Sequence, residues 1–165
     1  MKRSFIAFII LLSFHQVNAQ VKTDSIPAYE RIPTIPPFNV MIAPDSISFT
    51  QEDLKKKQPL IIIVFSPDCE HCKHFTKELL EKYKLLKKAR ILMASSLNYD
   101  LIHKFYDDYK IADYPAIKMG RDMNYFLGTF FSIRMFPTVI VYDKKGNFVK
   151  RIDSGITVEK IAELL

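Results

Sequence analysis

The sequence predicts an α/β fold, a central mixed sheet flanked by helices, with an N-terminal β-hairpin extension. Three features point to it. The run Leu60–Phe65 is continuous, apolar and mostly β-branched, bounded by Pro59 and Pro67, as in a strand buried on both faces. Behind it, Phe75, Leu79, Leu80, Tyr83 and Leu86 recur at helical spacing, with Lys73, Lys77, Glu78, Glu81, Lys82 and Lys84 on the other side. Further on, the β-branched run Thr138–Tyr142 and the alternating run Asn147–Ile152 are joined by Asp143-Lys144-Lys145-Gly146, a turn in which Gly supplies a positive φ.

At 165 residues the chain suits one domain with a real core. Residues 1–19 read as a signal peptide: Lys2 and Arg3 precede the apolar stretch Phe5–Phe14, and Val17-Asn18-Ala19 predicts cleavage before Gln20. A retained membrane anchor is the alternative, although the apolar run is shorter than the ~20 residues a span needs. Removing Lys2 and Arg3 lowers the net charge of +6 by two. The remaining excess lies in short runs (Lys55–Lys57, Lys87-Lys88, Lys144-Lys145), read as solvated surface spread along the chain and not as a nucleic-acid face.

Residues 20–37, rich in proline, read as an extended linker, and residues 38–165 as the domain. Phe38–Ile42 and Ser46–Phe49 flank Ala43-Pro44-Asp45 as a hairpin, after which Thr50 caps a short helix with Asp53 at its third position. Arg90–Ser96 is a second core strand, reached by a helical crossover long enough for parallel pairing. Leu101, Ile102, Phe105, Tyr106 and Tyr109 form another apolar helix face. Between Ile111 and Phe131 no regular element is expected, and its aromatic set Tyr125, Phe126, Phe130 and Phe131 is read as packing under the sheet, with a part in substrate selection as a second reading. The strand Asn147–Ile152 alternates apolar and basic residues, as at a sheet edge, and Thr157 caps a closing helix stapled by Ile156 and Ile161, with Leu164 and Leu165 packing inward. From Leu60 the expected order is β-α-β-α-β-β-α.

The only cysteines are Cys69 and Cys72, at the first turn of the helix that leaves the central strand. Free backbone N–H groups and the positive end of the helix dipole favour a thiolate there, and i, i+3 spacing puts both sulfurs on one face, near enough to bridge. The pattern is that of a reversible dithiol, with Cys69 as nucleophile at the helix tip and Cys72 as resolving thiol.

Strand, Pro-containing turn, Cys69-Glu70-His71-Cys72, amphipathic helix and the distant Phe136-Pro137-Thr138 together resemble the thioredoxin fold. The entry segment from Pro37-Phe38 to Leu54 is similar to that of TlpA/ResA-like thiol-disulfide oxidoreductases of bacterial cell envelopes. The resemblance implies a thioredoxin-like sandwich that needs no cofactor and exchanges its dithiol with protein disulfide or dithiol substrates. It also implies a membrane electron carrier or another envelope dithiol protein as redox partner, and a periplasmic or secreted location. A monomer is expected. In the family a cis-proline opposite the dithiol leaves the preceding backbone free to pair with a substrate strand, which assigns substrate contact to Phe136 and Pro137. One departure stands out: the buried acid that many thioredoxins carry six residues before the first cysteine is Ile63 here, and the aromatic just before that cysteine is Asp68. His71 is read as stabilising a thiolate, with Asp68 and Glu70 opposing it.

Two other classes compete. A copper or zinc site from Cys69, His71, Cys72 and His74 has ligands of suitable softness, but four within six residues of a helix start do not converge on one point. An inert Cys69–Cys72 staple closes too short a loop to stabilise much. Covalent haem is excluded because Lys73, not His, follows Cys72.

Overall fold

In the computed structural model, which describes residues 26–55 and 57–165, Leu60–Val64 forms β3 with all five residues buried. The expected leader 1–19, its cleavage point and the first residues of the lead-in lie outside the described residues. On one side β3 pairs parallel with β4 (Arg90–Ser95), on the other antiparallel with β6 (Thr138–Tyr142). The hairpin β1 (Asn39–Ile42) and β2 (Ile47–Thr50), together with β5 (Ile117–Arg121) and β7 (Phe148–Ile152), complete a seven-stranded mixed sheet in the order β2-β1-β5-β4-β3-β6-β7.

Alternation along β3 feeds two cores. Ile61, Ile63 and Phe65 face Phe75 and Leu79 of α2 (Glu70–Glu81), Ile102 and Phe105 of α4 (Tyr99–Asp108), and Val158 and Ile161 of α6 (Val158–Ala162). Leu60, Ile62 and Val64 face Phe38, Phe49, Phe131 and Tyr142, with Leu127 and Phe130 from α5 (Phe126–Phe130). The steps β3 to β4 and β4 to β5 move the same way across the sheet, so right-handed crossovers put α2 and α4 on one face; the return to β6 carries α5 across the other.

The local signals hold. Thr50 N–H donates to Asp53 Oδ2 at 2.8 Å, opening a 3-10 turn at Gln51–Asp53. Gly146 has φ +83°, Thr157 Oγ1 accepts from Lys160 N, and β7 is an edge strand.

Four points differ from the sequence reading. β5 and α5 were not expected, because Lys118, Gly120 and Arg121 interrupt the apolar pattern; only Ile117 and Met119 carry it, and both are buried. Gly120 is required by space: a Cβ there would stand 2.3 Å from the Met41 carbonyl oxygen of β1, which pairs with β5 at that point. The long helix breaks at Lys82 (φ −99°, ψ 14°), where its ammonium pairs with Glu78 at 3.0 Å and Glu159 at 2.8 Å; α3 (Tyr83–Leu86) continues and still buries Leu86. Leu101, placed on the apolar face of α4, is 40% exposed. Finally, the proline-rich lead-in carries one helical turn, α1 (Ala28–Arg31), whose Tyr29 lies against Phe131 and Phe148 and under the Arg151 guanidinium. The following backbone is tied down as well, with Phe148 N–H donating to Pro33 O at 2.7 Å and Ile35 N–H to Gly146 O at 3.2 Å.

Candidate active site

Because Val64 of β3 lies opposite Thr138 of β6, the turn that leaves β3 and the loop that enters β6 meet at one end of the sheet. Cys69, the N-cap of α2, is half-buried, and its thiol lies 3.8 Å from the Phe136 carbonyl oxygen, a contact spanning 67 positions. The Phe136–Pro137 peptide is cis. Cys72, one turn further, is 1% exposed and packs with Ile63 and Phe65. Neither cysteine is bridged.

Burial pushes the Cys72 thiol up to about 12 from an ordinary 9.0, and the neighbouring Cys69 adds to the rise. The Ser66 N–H, which donates to Cys72 Sγ at 3.5 Å, works the other way. The place of the family's buried acid is filled by fully buried Ile63. The raised thiol pKa has a consequence for stability. Below pH 9 Cys72 is protonated whether the chain is folded or not; between about 9 and 12 only the unfolded chain releases the proton. Stability of the reduced protein is therefore expected to fall with rising pH across that window. Urea unfolding of wild type and Cys72→Ala at pH 8 and near pH 11 checks it: a stability difference between the two that does not change with pH would remove the effect.

Two clefts flank the dithiol turn. One, of about 490 Å³, runs between α2 and the proline loop and is lined by His71, His74, Met135, Phe136, Pro137 and the segment Asp153–Ile156, among others. Met135 and Phe136 are 52% and 37% exposed. The other, of about 780 Å³, lies between α2 and α4 and takes in Pro67 and Asp68. Thus His71 shares a cleft with Phe136 and Pro137, while Asp68 borders the opposite one. Glu70 is engaged by Lys73 at 2.6 Å, which holds its carboxyl below the usual range. The aromatic segment sits elsewhere: Phe130 and Phe131 are buried on the far face of the sheet from Cys72, so their main work is packing.

A polar network behind the proline loop has no signal in the sequence. Thr138 Oγ1 lies 2.9 Å from the Met135 carbonyl and 2.8 Å from Asp153 Oδ1, with one proton to give. Arg151 Nε and Nη2 donate to the same carboxylate oxygen at 3.0 and 2.9 Å, and Nη1 donates to the Phe131 carbonyl. Only the pairing of β6 with β7 brings Asp153 to Thr138.

Among the described residues, no group of three or more His, Cys, Asp or Glu side chains is placed to hold a metal ion. No described helix is long and apolar enough to cross a membrane.

Similar folds occur in solved structures. Etrx1, an exposed lipoprotein thioredoxin of Streptococcus pneumoniae, aligns at TM-score 0.60 and 20% identity over 79% of this chain and 100% of its own. StoA of Bacillus subtilis aligns at 0.58 and 18% over 80% and 98%, and a thiol-disulfide oxidoreductase of Bacteroides fragilis at 0.61 and 18% over 80% and 99%. At such identities the likeness establishes the fold. No curated protein matches the sequence. The family described as Thioredoxin-like domain matches residues 50–165, from the cap after the hairpin through both cysteines and the proline loop to the last residue, and the chain belongs to that family.

Proposed function

We propose that the protein is a thiol-disulfide oxidoreductase of the cell envelope, periplasmic or secreted, exchanging the Cys69/Cys72 pair with protein substrates. The observation that carries this is the half-buried Cys69 at the tip of α2, facing Phe136 O at 3.8 Å with buried Cys72 one turn behind. In the reducing direction the Cys69 thiolate attacks one sulfur of a substrate disulfide. That S–S bond breaks, a mixed disulfide forms and the departing thiolate takes a proton. Cys72 then gives its proton to water or to the leaving sulfur and attacks Cys69. The second substrate thiol leaves, and two electrons have passed to the substrate. Burial keeps Cys72 protonated until the mixed disulfide stands beside it, which separates the roles of the two sulfurs.

The cleft between α2 and the proline loop supplies the substrate surface, with Phe136 and Met135 as apolar contacts and His71 across from them. His71 acts on the Cys69 thiolate from that cleft, and Glu70 acts weakly because Lys73 neutralises it. Family resemblance favours reduction of protein disulfides, with a membrane electron carrier restoring the dithiol. The envelope location draws support from the exposed lipoprotein similar in fold.

The direction is tested by the reduction potential of the pair, equilibrated against glutathione. A value near the roughly −270 mV of thioredoxin indicates a reductase, and one near the roughly −120 mV of the strong periplasmic oxidants indicates disulfide formation. Wild type that neither reduces insulin disulfides nor oxidises a reduced peptide would overturn the proposal.

A further inference from the structure

The lysine runs that look scattered along the sequence are collected by the sheet. β3 and β4 run parallel and start in register, Leu60 opposite Arg90, while β6 runs against them and ends with Tyr142 opposite Leu60. The segments before β3, before β4 and after β6 must therefore gather at one end, and Cys69 and Pro137 lie at the other. At the gathered end is a cleft of about 390 Å³ edged by Lys55, Lys57, Arg90, Lys144 and Lys145. Gln58 ties a third run to it, its Nε2 donating to Lys88 O at 3.2 Å.

No carboxylate lines this cleft among the described residues, and none of the five cations has a carboxylate partner among the described ion pairs. The acids nearest in sequence hold hydrogen bonds of their own. Asp53 accepts from Thr50, and Asp143 accepts from Lys145 N, Asn147 N and the Asn147 amide. Two atoms of the same lining, the donor Arg90 Nε and the acceptor Gln58 Oε1, are buried without a hydrogen-bond partner. Five cations edge this cleft and no carboxylate in its lining offsets them, which makes it a place that attracts an anion.

We infer that this cleft binds a phosphate group, free or carried by the headgroup of an anionic lipid. Several cations edging one small volume match a compact, multiply charged oxyanion. The apolar floor of Ile35, Leu54 and Leu60 offers no aromatic ring for a base to stack on, which argues against a nucleic acid. This inference does not rest on the thiol chemistry at the other end.

The full-length chain is titrated calorimetrically with inorganic pyrophosphate at about 0.1 M salt, where the screening length is about 10 Å. In parallel it is sedimented with phosphatidylcholine vesicles with and without phosphatidylglycerol. Two variants of equal charge are compared with wild type: Lys55→Gln/Lys144→Gln/Lys145→Gln at the cleft, and Lys77→Gln/Lys104→Gln/Lys150→Gln elsewhere. Each cleft lysine is expected to contribute about fivefold, so the first variant weakens binding roughly a hundredfold while the second changes little. Insulin reduction should be unaltered in both. Pyrophosphate binding that the cleft variant loses identifies a free phosphate ligand; loss confined to anionic vesicles identifies the lipid headgroup. Absence of binding to either probe, or equal weakening by the two variants, overturns the inference.

Discussion

Cys69→Ser is expected to lower insulin-disulfide reduction by roughly a thousandfold or more, because the attacking group is a thiolate and a serine hydroxyl is not ionised at neutral pH. The substitution touches a half-buried N-cap, a position where serine is itself favoured, so the fold should persist. Cys72→Ala should behave differently. The first exchange still occurs, but no second thiol stands one turn behind to break the mixed disulfide, which therefore accumulates and is visible on non-reducing gels. The pair of outcomes distinguishes the two roles. If Cys72→Ala reduced insulin as wild type does, Cys72 would not be the resolving thiol; if mixed disulfides formed through Cys72 in Cys69→Ser while Cys72→Ala formed none, the two roles would be reversed. Geometry supports the assignment as made: Cys69 meets Phe136 at the open end of the sheet, and Cys72 is sealed among Ile63, Phe65 and Phe75.

Gly120→Val should be strongly destabilising although far from the dithiol, at about 3 kcal/mol of stability. Even one added carbon would lie 2.3 Å from Met41 O and 2.7 Å from Ile42 Cα, both backbone atoms that have no rotamer to yield. Relief requires β1 to move off β5, which would take Phe38, Val40 and Phe49 with it and open the core on that face. Urea unfolding reads the loss directly. Disulfide exchange per folded molecule should survive, since Cys69 and Phe136 are placed by β3 and β6 and not by the hairpin. Unchanged stability would mean that the hairpin tolerates displacement and that Gly120 is not held by contact.

Signals contained within a few residues were legible in the chain. A five-residue stretch of leucine, isoleucine and valine has no surface for water and becomes β3; Asp53 reaches back to the Thr50 N–H; Gly146 takes a positive φ that the turn demands. Cys69 and Cys72 at a helix start belong to the same class, since exposure of one and burial of the other follow from the first turn of α2.

Relations between segments far apart were decided by strand order. β5 is hard to read because Gly120, a poor strand residue in isolation, is demanded by a neighbour some eighty positions away, Met41. The aromatic segment next to Pro137 in sequence reads first as packing under the sheet, and the return crossover to β6 decides which of the two cores Phe130 and Phe131 fill. Asp153 meets Thr138, and the separate lysine runs meet one another, for the same reason. A run of side chains records which face of its own strand or helix is apolar, because that depends on spacing along the backbone. Which other segment lies alongside depends on how seven strands share two cores, and only the assembled sheet settles that.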